Sequence, residues 1–170
     1  MDMQDGAPLG EWTVRATGKA DRTRLGERIA EAWGAEIVVA RGQVFRPAEL
    51  PGFLAEDRGG HLLGLLTYHL SASGCEIVTL NSWREGSGIG TALLTAVHRQ
   101  AIQSGCRRLF LMTTNDNLHA LAFYQKRGFF IRAVRLNAVA ASRRIKPQIP
   151  TCGDSGLPIR DEIDLEMHLP

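Results

Sequence analysis

The stretch Arg84-Glu85-Gly86-Ser87-Gly88-Ile89-Gly90-Thr91 separates two apolar runs of different period. Before it, Cys75 to Leu80 reads as a strand. After it, Ile89, Leu93, Leu94, Val97, Ala101 and Ile102 recur at helical spacing, which predicts a helix over Gly88 to Ser104 with Gly105 closing it. Glycines let a backbone approach a ligand closely, and the first N–H groups of a helix have no intrahelical partner. Together they form a concavity that suits a phosphate or pyrophosphate without side-chain charge. A tight turn with no ligand is the alternative reading of the same glycines. Two phosphate-loop patterns fit poorly. A nucleotide triphosphatase loop needs a Lys after its last glycine, and none follows Gly90. A dinucleotide fingerprint read from Gly86 places Gly90 where any residue is allowed and Thr91 where glycine is required, and no βαβ unit stands near the N-terminus.

Upstream, Gly52 to Glu56 and His61 to Leu70 flank Asp57-Arg58-Gly59-Gly60, a hairpin connection, and Ser71 to Gly74 turns into the strand before the glycine loop. The middle of the chain is therefore a meander of three strands. Trp12 to Ala16 reads as a short strand and Asp21 to Trp33 as a helix, with Leu25, Ile29, Ala32 and Trp33 on one stripe and Gly34 closing it. Glu36 to Phe45 is rich in β-branched residues but broken by Arg41-Gly42, which predicts an extended segment with a kink. Downstream, Leu109 to Met112 is a doubly buried strand, Leu118 to Arg127 a helix with Asn117 as N-cap, and Phe129 to Leu136 a further strand. Glu162 to Leu169 alternates as a half-buried strand. Between these last strands, 137–161 is long, with a short Ala-rich helix (Ala138 to Arg144) and three prolines. Lys146 to Arg160 is expected to act as a lid.

The chain has 170 residues, enough for one domain with a real core, and a net charge of 20 − 18 = +2 gives no general pull toward nucleic acid or an anionic membrane. No run of about 18 apolar residues occurs, and Met1 to Gly10, read as a loose tail, lacks a signal-peptide pattern. Cys75, Cys106 and Cys152 form no C-x-x-C pair, and the five histidines stand without metal-ligand spacing. A soluble cytoplasmic protein without a metal is expected, its domain running over 11–170.

A second pattern follows one helix and one strand after the first: Asn117-x-x-Ala120-x-x-Phe123-Tyr124-x-x-x-Gly128-Phe129. With Glu85-x-x-Gly88-x-Gly90, it resembles the acyl-CoA loop and following motif of the GNAT superfamily of N-acetyltransferases, over about residues 61 to 136. The departure is Glu85, where the family usually carries Gln or Arg; Arg84 is displaced by one position. The resemblance implies a single α/β domain with a mixed, mostly antiparallel sheet of about six or seven strands and about three or four helices. It implies acetyl-CoA as co-substrate, held by Arg84, Glu85, Gly86, Ser87, Gly88, Ile89, Gly90 and Thr91. The strand Glu76 to Ser82 is then splayed from Leu109 to Thr114, with the pantetheine arm in the gap. Backbone groups of Val78, Thr79 and Leu80 would bond that arm, and an N–H there would polarise the thioester carbonyl.

Tyr124 matches the tyrosine that the family often uses to protonate the departing thiolate; packing alone is the other reading. Asn117 would bond pantetheine, cap its helix, or do both. An alkyl ammonium, pKa about 10.4, must lose a proton before attack, so a carboxylate base is expected. Glu76 is the first choice, against a solvent-facing strand-end glutamate; Tyr68, His69 and His119 are reserves. Lys126 and Arg127 lie where a cofactor 3′-phosphate would meet them, but basic residues suit a helix C-terminus anyway, so no role is assigned. Trp83 would cover the adenine side or pack at the sheet end. The expected reaction is direct attack by a small-molecule or peptide amine in a ternary complex. An acyl-CoA-binding regulatory or interaction domain is the competing class, and the resemblance also implies a homodimer as one arrangement.

Overall fold

The computed structural model describes residues 11–170, so the tail over 1–10 lies outside the described residues. Strand β1 (Trp12–Ala16) leads into helix α1 (Arg22–Trp33), which Gly34 ends in the left-handed conformation, φ 74°. Two three-residue strands, β2 (Val38–Ala40) and β3 (Gln43–Phe45), come next, then the meander β4 (Gly52–Asp57), β5 (Leu62–Ser71) and β6 (Gly74–Ser82). The second half runs α2 (Ile89–Gln103), β7 (Arg108–Thr114), α3 (Leu118–Gln125), β8 (Phe130–Arg135), α4 (Ala138–Ile145) and β9 (Glu162–His168).

Seven of these strands make one sheet in the order β1-β4-β5-β6-β7-β9-β8. Every neighbouring pair is antiparallel except β6 and β7, which run parallel. Helix α2 buries Ile89, Leu93, Leu94, Val97 and Ala101, the stripe set by the 3.6-residue period, on a face made by Leu66, Cys75, Ile77, Leu109, Leu111 and Leu165. It crosses β5 at Gly64, where an added Cβ would stand 2.5 Å from Ile89 Cγ2 and 3.0 Å from Leu93 Cδ1. Gly64 thus sets how closely the helix start approaches the sheet. On the opposite face, Leu25 and Ile29 of α1 pack against Leu54 and Leu65.

The opposite face changes character beyond β6. Cys75 and Ile77 belong to the core under α2, so strand alternation turns Glu76 the other way, and the same holds for Phe110 and Asp164. This part is covered by β2, β3 and α4. The segment read as kinked is a two-residue hairpin: Arg41 and Gly42 both have positive φ, 52° and 75°, the twist that joins antiparallel strands closely. The turn folds Arg41 back onto the sheet, where its guanidinium lies over the Phe110 ring, pairs with Glu76, and reaches Asp164 at 2.9 Å. Lys146, buried at the end of α4, donates to the Ile37 carbonyl at 3.0 Å and ties that helix to the hairpin.

The 146–161 connection is fastened along its length and not hung as a lid. Arg143 donates to the carbonyls of Ile149, Pro150 and Ile159. The Asn115 side chain donates to the Pro158 carbonyl and accepts from the N–H groups of Arg160 and Asp161, and Ser155 reaches the Asp116 carbonyl. Strand β8 closes one sheet edge with Phe130, Ile131 and Val134 exposed. Among the described residues no helix is long and apolar enough to cross a membrane, no metal-ligand cluster occurs, and all three cysteines are free.

Candidate active site

Parallel pairing of β6 and β7 covers only Cys75↔Leu109 to Ile77↔Leu111. On its other side β6 bulges: Tyr68 faces Ile77 and Thr67 faces Thr79, so Val78 has no opposite residue. Past this point the strands diverge, and a cleft of about 670 Å³ opens between them. Its floor is β6 from Ile77 to Ser82 and β7 from Leu111 to Thr113, one wall is the glycine loop from Arg84 to Thr91, and the other is α3. The splay inferred for Val78, Thr79 and Leu80 is present, and all three line the opening. Thr79 is anchored there by its hydroxyl, 2.8 Å from that of Thr67.

The loop is built to present backbone. Gly86 and Gly88 have φ of 68° and 78°, and a Cβ on either would meet nothing within 4 Å, so both border open space. Gly88 is the N-cap of α2, and the first helical hydrogen bond is donated by Ala92 to its carbonyl at 3.0 Å. The N–H groups of Ile89, Gly90 and Thr91 are therefore left without intrahelical partners. The loop carries its own bracing, since the hydroxyls of Ser82 and Ser87 both donate to the Arg84 carbonyl, at 3.2 and 2.5 Å. Arg84 is ion-paired with Glu11 at 2.8 Å, and the exposed Glu85 has no ion pair among the described residues.

Helix α3 carries the second set. Asn117 Oδ1 accepts from the Ala120 N–H at 3.0 Å, so it caps the helix while lining the cleft. Tyr124 is 6% exposed and held edge-on by Phe123 and Phe129, each ring 5.2 Å away. Burial pushes its phenol well above the ordinary value, with Arg127 working weakly the other way. Its hydroxyl has no hydrogen bond among the described residues, and the residue faces the cleft. Phe123 reaches across to Gly90, where an added Cβ would stand 3.3 Å from its ring, so the two motifs pack directly on one another.

Glu76 lies outside the cleft lining, on the hairpin-covered face, 4% exposed and paired with Arg41. Burial pushes its carboxyl above the ordinary glutamate value, and Arg41 pulls it partly back. Asp164, whose charge burial also penalises, is nevertheless held below the ordinary value by hydrogen bonds from Arg135 and Arg41. Of the reserves, only His119 lines the cleft; Tyr68 is buried in the core under α2, stacked on Phe53, and His69 stands against Phe45. Lining residues that sequence reasoning did not assign to the site include Trp33, whose indole N–H donates to Asn81 Oδ1 at 3.0 Å, Asn81 itself, Met112 and Thr113; Phe123 of the second motif and Arg127, weighed without a role, line it too. Trp33 gave one signal, its place as the last apolar residue before a helix-closing glycine.

A split sheet whose gap leads into an unsatisfied helix start, with a buried tyrosine at its side, is the layout of an acyl-CoA-dependent transferase. The chain belongs to the acetyltransferase (GNAT) family, whose model matches residues 13–129. Protein YdhI of Bacillus subtilis is 45% identical over 139 residues, 82% of this chain and 87% of that protein. The mycothiol acetyltransferase of Clavibacter sepedonicus is 32% identical over 119 residues, 69% of this chain and 35% of that longer protein. Among solved structures, a GNAT family acetyltransferase from Elizabethkingia anophelis with acetyl-CoA bound superposes with a TM-score of 0.64 at 20% identity, covering 94% of this chain and 99% of that one.

Proposed function

We propose that this chain transfers the acetyl group of acetyl-CoA to a primary amine by direct attack in a ternary complex. The observation that carries the proposal is the pairing of an open, side-chain-free anion cradle at Gly86 and Gly88 with the gap between β6 and β7. The cradle fits a pyrophosphate because its leading N–H groups have no intrahelical partner and the glycines beside them border open space, and the gap suits an extended pantetheine arm. The crystallised E. anophelis relative, with acetyl-CoA bound, supports the same choice of co-substrate. That co-substrate supplies an activated thioester; the rest falls to the chain.

In this reading an unpaired N–H of the Val78 to Leu80 segment donates to the thioester oxygen as charge develops there. Tyr124, kept protonated across the neutral range by its burial, hands its proton to the departing thiolate. Glu76 draws the proton from the ammonium through a water, and Arg41 fixes the carboxylate in place. The acceptor, a small-molecule or peptide amine, enters on the side of Trp33 and the β2–β3 hairpin. We assign the setting to the cytoplasm, in keeping with three thiols outside any disulfide.

Calorimetric titration of acetyl-CoA into the wild type and a Gly88→Trp variant tests the cofactor, and a panel of amines with Tyr124→Phe as control tests the transfer. Saturable binding that the Trp side chain abolishes is the expected result. A folded wild type that binds no acetyl-CoA would overturn the proposal.

A further inference from the structure

The cleft wall beside the glycine loop holds a cation that the transfer chemistry above does not use. Arg127 follows the last turn of α3, and its guanidinium donates from Nη2 and Nε to the Thr91 hydroxyl at 2.8 and 3.2 Å. A third bond runs from Nη1 to the Phe123 carbonyl at 2.9 Å, and the guanidinium carbon lies over the Phe123 ring, 3.7 Å from its centre. Both oxygens it bonds are neutral, and no carboxylate pairs with it among the described residues. Thr91 is also the third residue of α2, so this guanidinium stands beside the N–H groups that form the anion cradle.

The other charges lining the loop make this placement informative. Arg84 is already neutralised by Glu11 at 2.8 Å, while Glu85 adds a negative charge with no cation against it. A diphosphate entering the cradle would therefore meet one free carboxylate and one arginine tied up elsewhere. Arg127 is the lining guanidinium with no counter-charge, held rigid by stacking and three hydrogen bonds, and a planar guanidinium matches phosphate oxygens well.

We infer that Arg127 is a cofactor-binding residue of this chain, the charge partner of the cofactor diphosphate, and that it offsets the carboxylate at position 85. The inference rests on the acetyl-CoA reading and adds the residue that balances the cofactor's charge. It also accounts for a loop that tolerates Glu85: the cation is supplied across the cleft from α3.

The test is titration of acetyl-CoA and, separately, of dephospho-CoA, which lacks the 3′-phosphate, into the full chain and its Arg127→Gln and Arg127→Lys variants at two salt concentrations. Loss of one charge-assisted phosphate contact predicts that Arg127→Gln weakens both ligands about ten- to a hundred-fold, with Lys restoring most of it. The salt dependence of binding should flatten in the Gln variant. Glu85→Gln should tighten both ligands and do so more strongly in the Arg127→Gln background. Should Arg127→Gln fail to fold, Thr91→Val, which removes the guanidinium's anchor and keeps its charge, must weaken both ligands together. Weakening confined to acetyl-CoA would assign Arg127 to the 3′-phosphate and overturn the diphosphate inference, as would unchanged binding of both. A wild type that binds neither ligand would instead sink the acetyl-CoA reading itself.

Discussion

Gly64→Ala is expected to damage the cofactor site without touching it. The glycine sits on β5 beneath the first turn of α2, and its new methyl would stand 2.5 Å from Ile89 Cγ2, 3.0 Å from Leu93 Cδ1 and 3.1 Å from the Asn81 carbonyl oxygen. Ordinary contact begins at 3.4 Å, so Ile89 must retreat by about 1 Å, in a core where Leu93 and Val97 have no exposed surface to yield into. Overpacking of this kind costs about 1–3 kcal/mol. For a chain of this length that is a fall in Tm of about 2–12 °C. Ile89 directly follows Gly88, so the same displacement shifts the cradle, and acetyl-CoA affinity should fall with stability. Thermal unfolding and calorimetric titration of one preparation read both quantities. Adding Ile89→Ala should relieve the crowding, so the double variant should be less destabilised than the two single effects summed. A Gly64→Ala protein with wild-type Tm and wild-type affinity would refute the argument that β5 sets the position of the loop.

Tyr124→Phe should keep acetyl-CoA affinity and Tm close to wild type while kcat drops by about a hundred-fold or more, read in a thiol-release assay with any accepted amine. The raised Glu76 carboxyl must be ionised to accept a proton, so activity should fall as pH drops through a value above the ordinary glutamate range. Arg41→Ala, by removing the cation that holds that carboxyl down, should move this acid limb to still higher pH, and Glu76→Gln should abolish it. At the N-terminal end, hydrogen bonds from Arg15 hold Asp21 well below the ordinary aspartate value. Its contribution is therefore present at neutral pH and lost as pH falls below about 4, so Asp21→Asn should lower Tm at pH 7 by more than at acid pH. Arg143→Ala removes three bonds to carbonyls of the 146–161 connection and should expose it to limited proteolysis, mapped by mass spectrometry.

The glycine-loop half of the candidate site was legible because it is made of backbone. Gly86, Gly88 and the apolar stripe from Ile89 to Ala101 announce a turn, a helix start and a buried face within a few residues of one another, and Tyr124 follows in a second local pattern. The half under the β2–β3 hairpin is assembled from contacts far apart in sequence. Arg41 meets Glu76 across 35 residues and Asp164 across 123, and no local spacing encodes either pair. The hairpin that carries Arg41 was missed for a related reason: its turn places an arginine at positive φ, a conformation that only Gly42 signalled. Contacts with Glu76, Asp164 and Phe110 over-determine that strained residue. Arg127 carried a sequence signal that a helix C-terminus explains equally well, and only its lack of a counter-charge in three dimensions separates the two readings.

Helices α2 and α4, on opposite faces of the sheet, are held by different balances of contacts. Under α2 the attachment is apolar and fitted to the shape of Gly64, so a change there propagates into the cradle. On the other face, beyond β6, the hairpin and α4 bury Val38, Val39, Phe45 and Val139 and add discrete ionic and polar fasteners: Arg41 to Glu76 and Asp164, Lys146 to the Ile37 carbonyl, and Ser142 to Glu162 at 2.9 Å. Such fasteners depend on a few matched groups and little on the length or composition of the segments between them. The exposed residues between such anchors can be exchanged or lengthened by evolution, or grafted in the laboratory, while the face under α2 stays fixed. A library confined to the exposed positions of 34–45 and 146–158, retaining Arg41, Lys146, the buried Val38, Val39, Ala40 and Phe45, and Gly34, Gly42 and Gly153, would therefore diversify the proposed acceptor side while leaving the glycine loop intact.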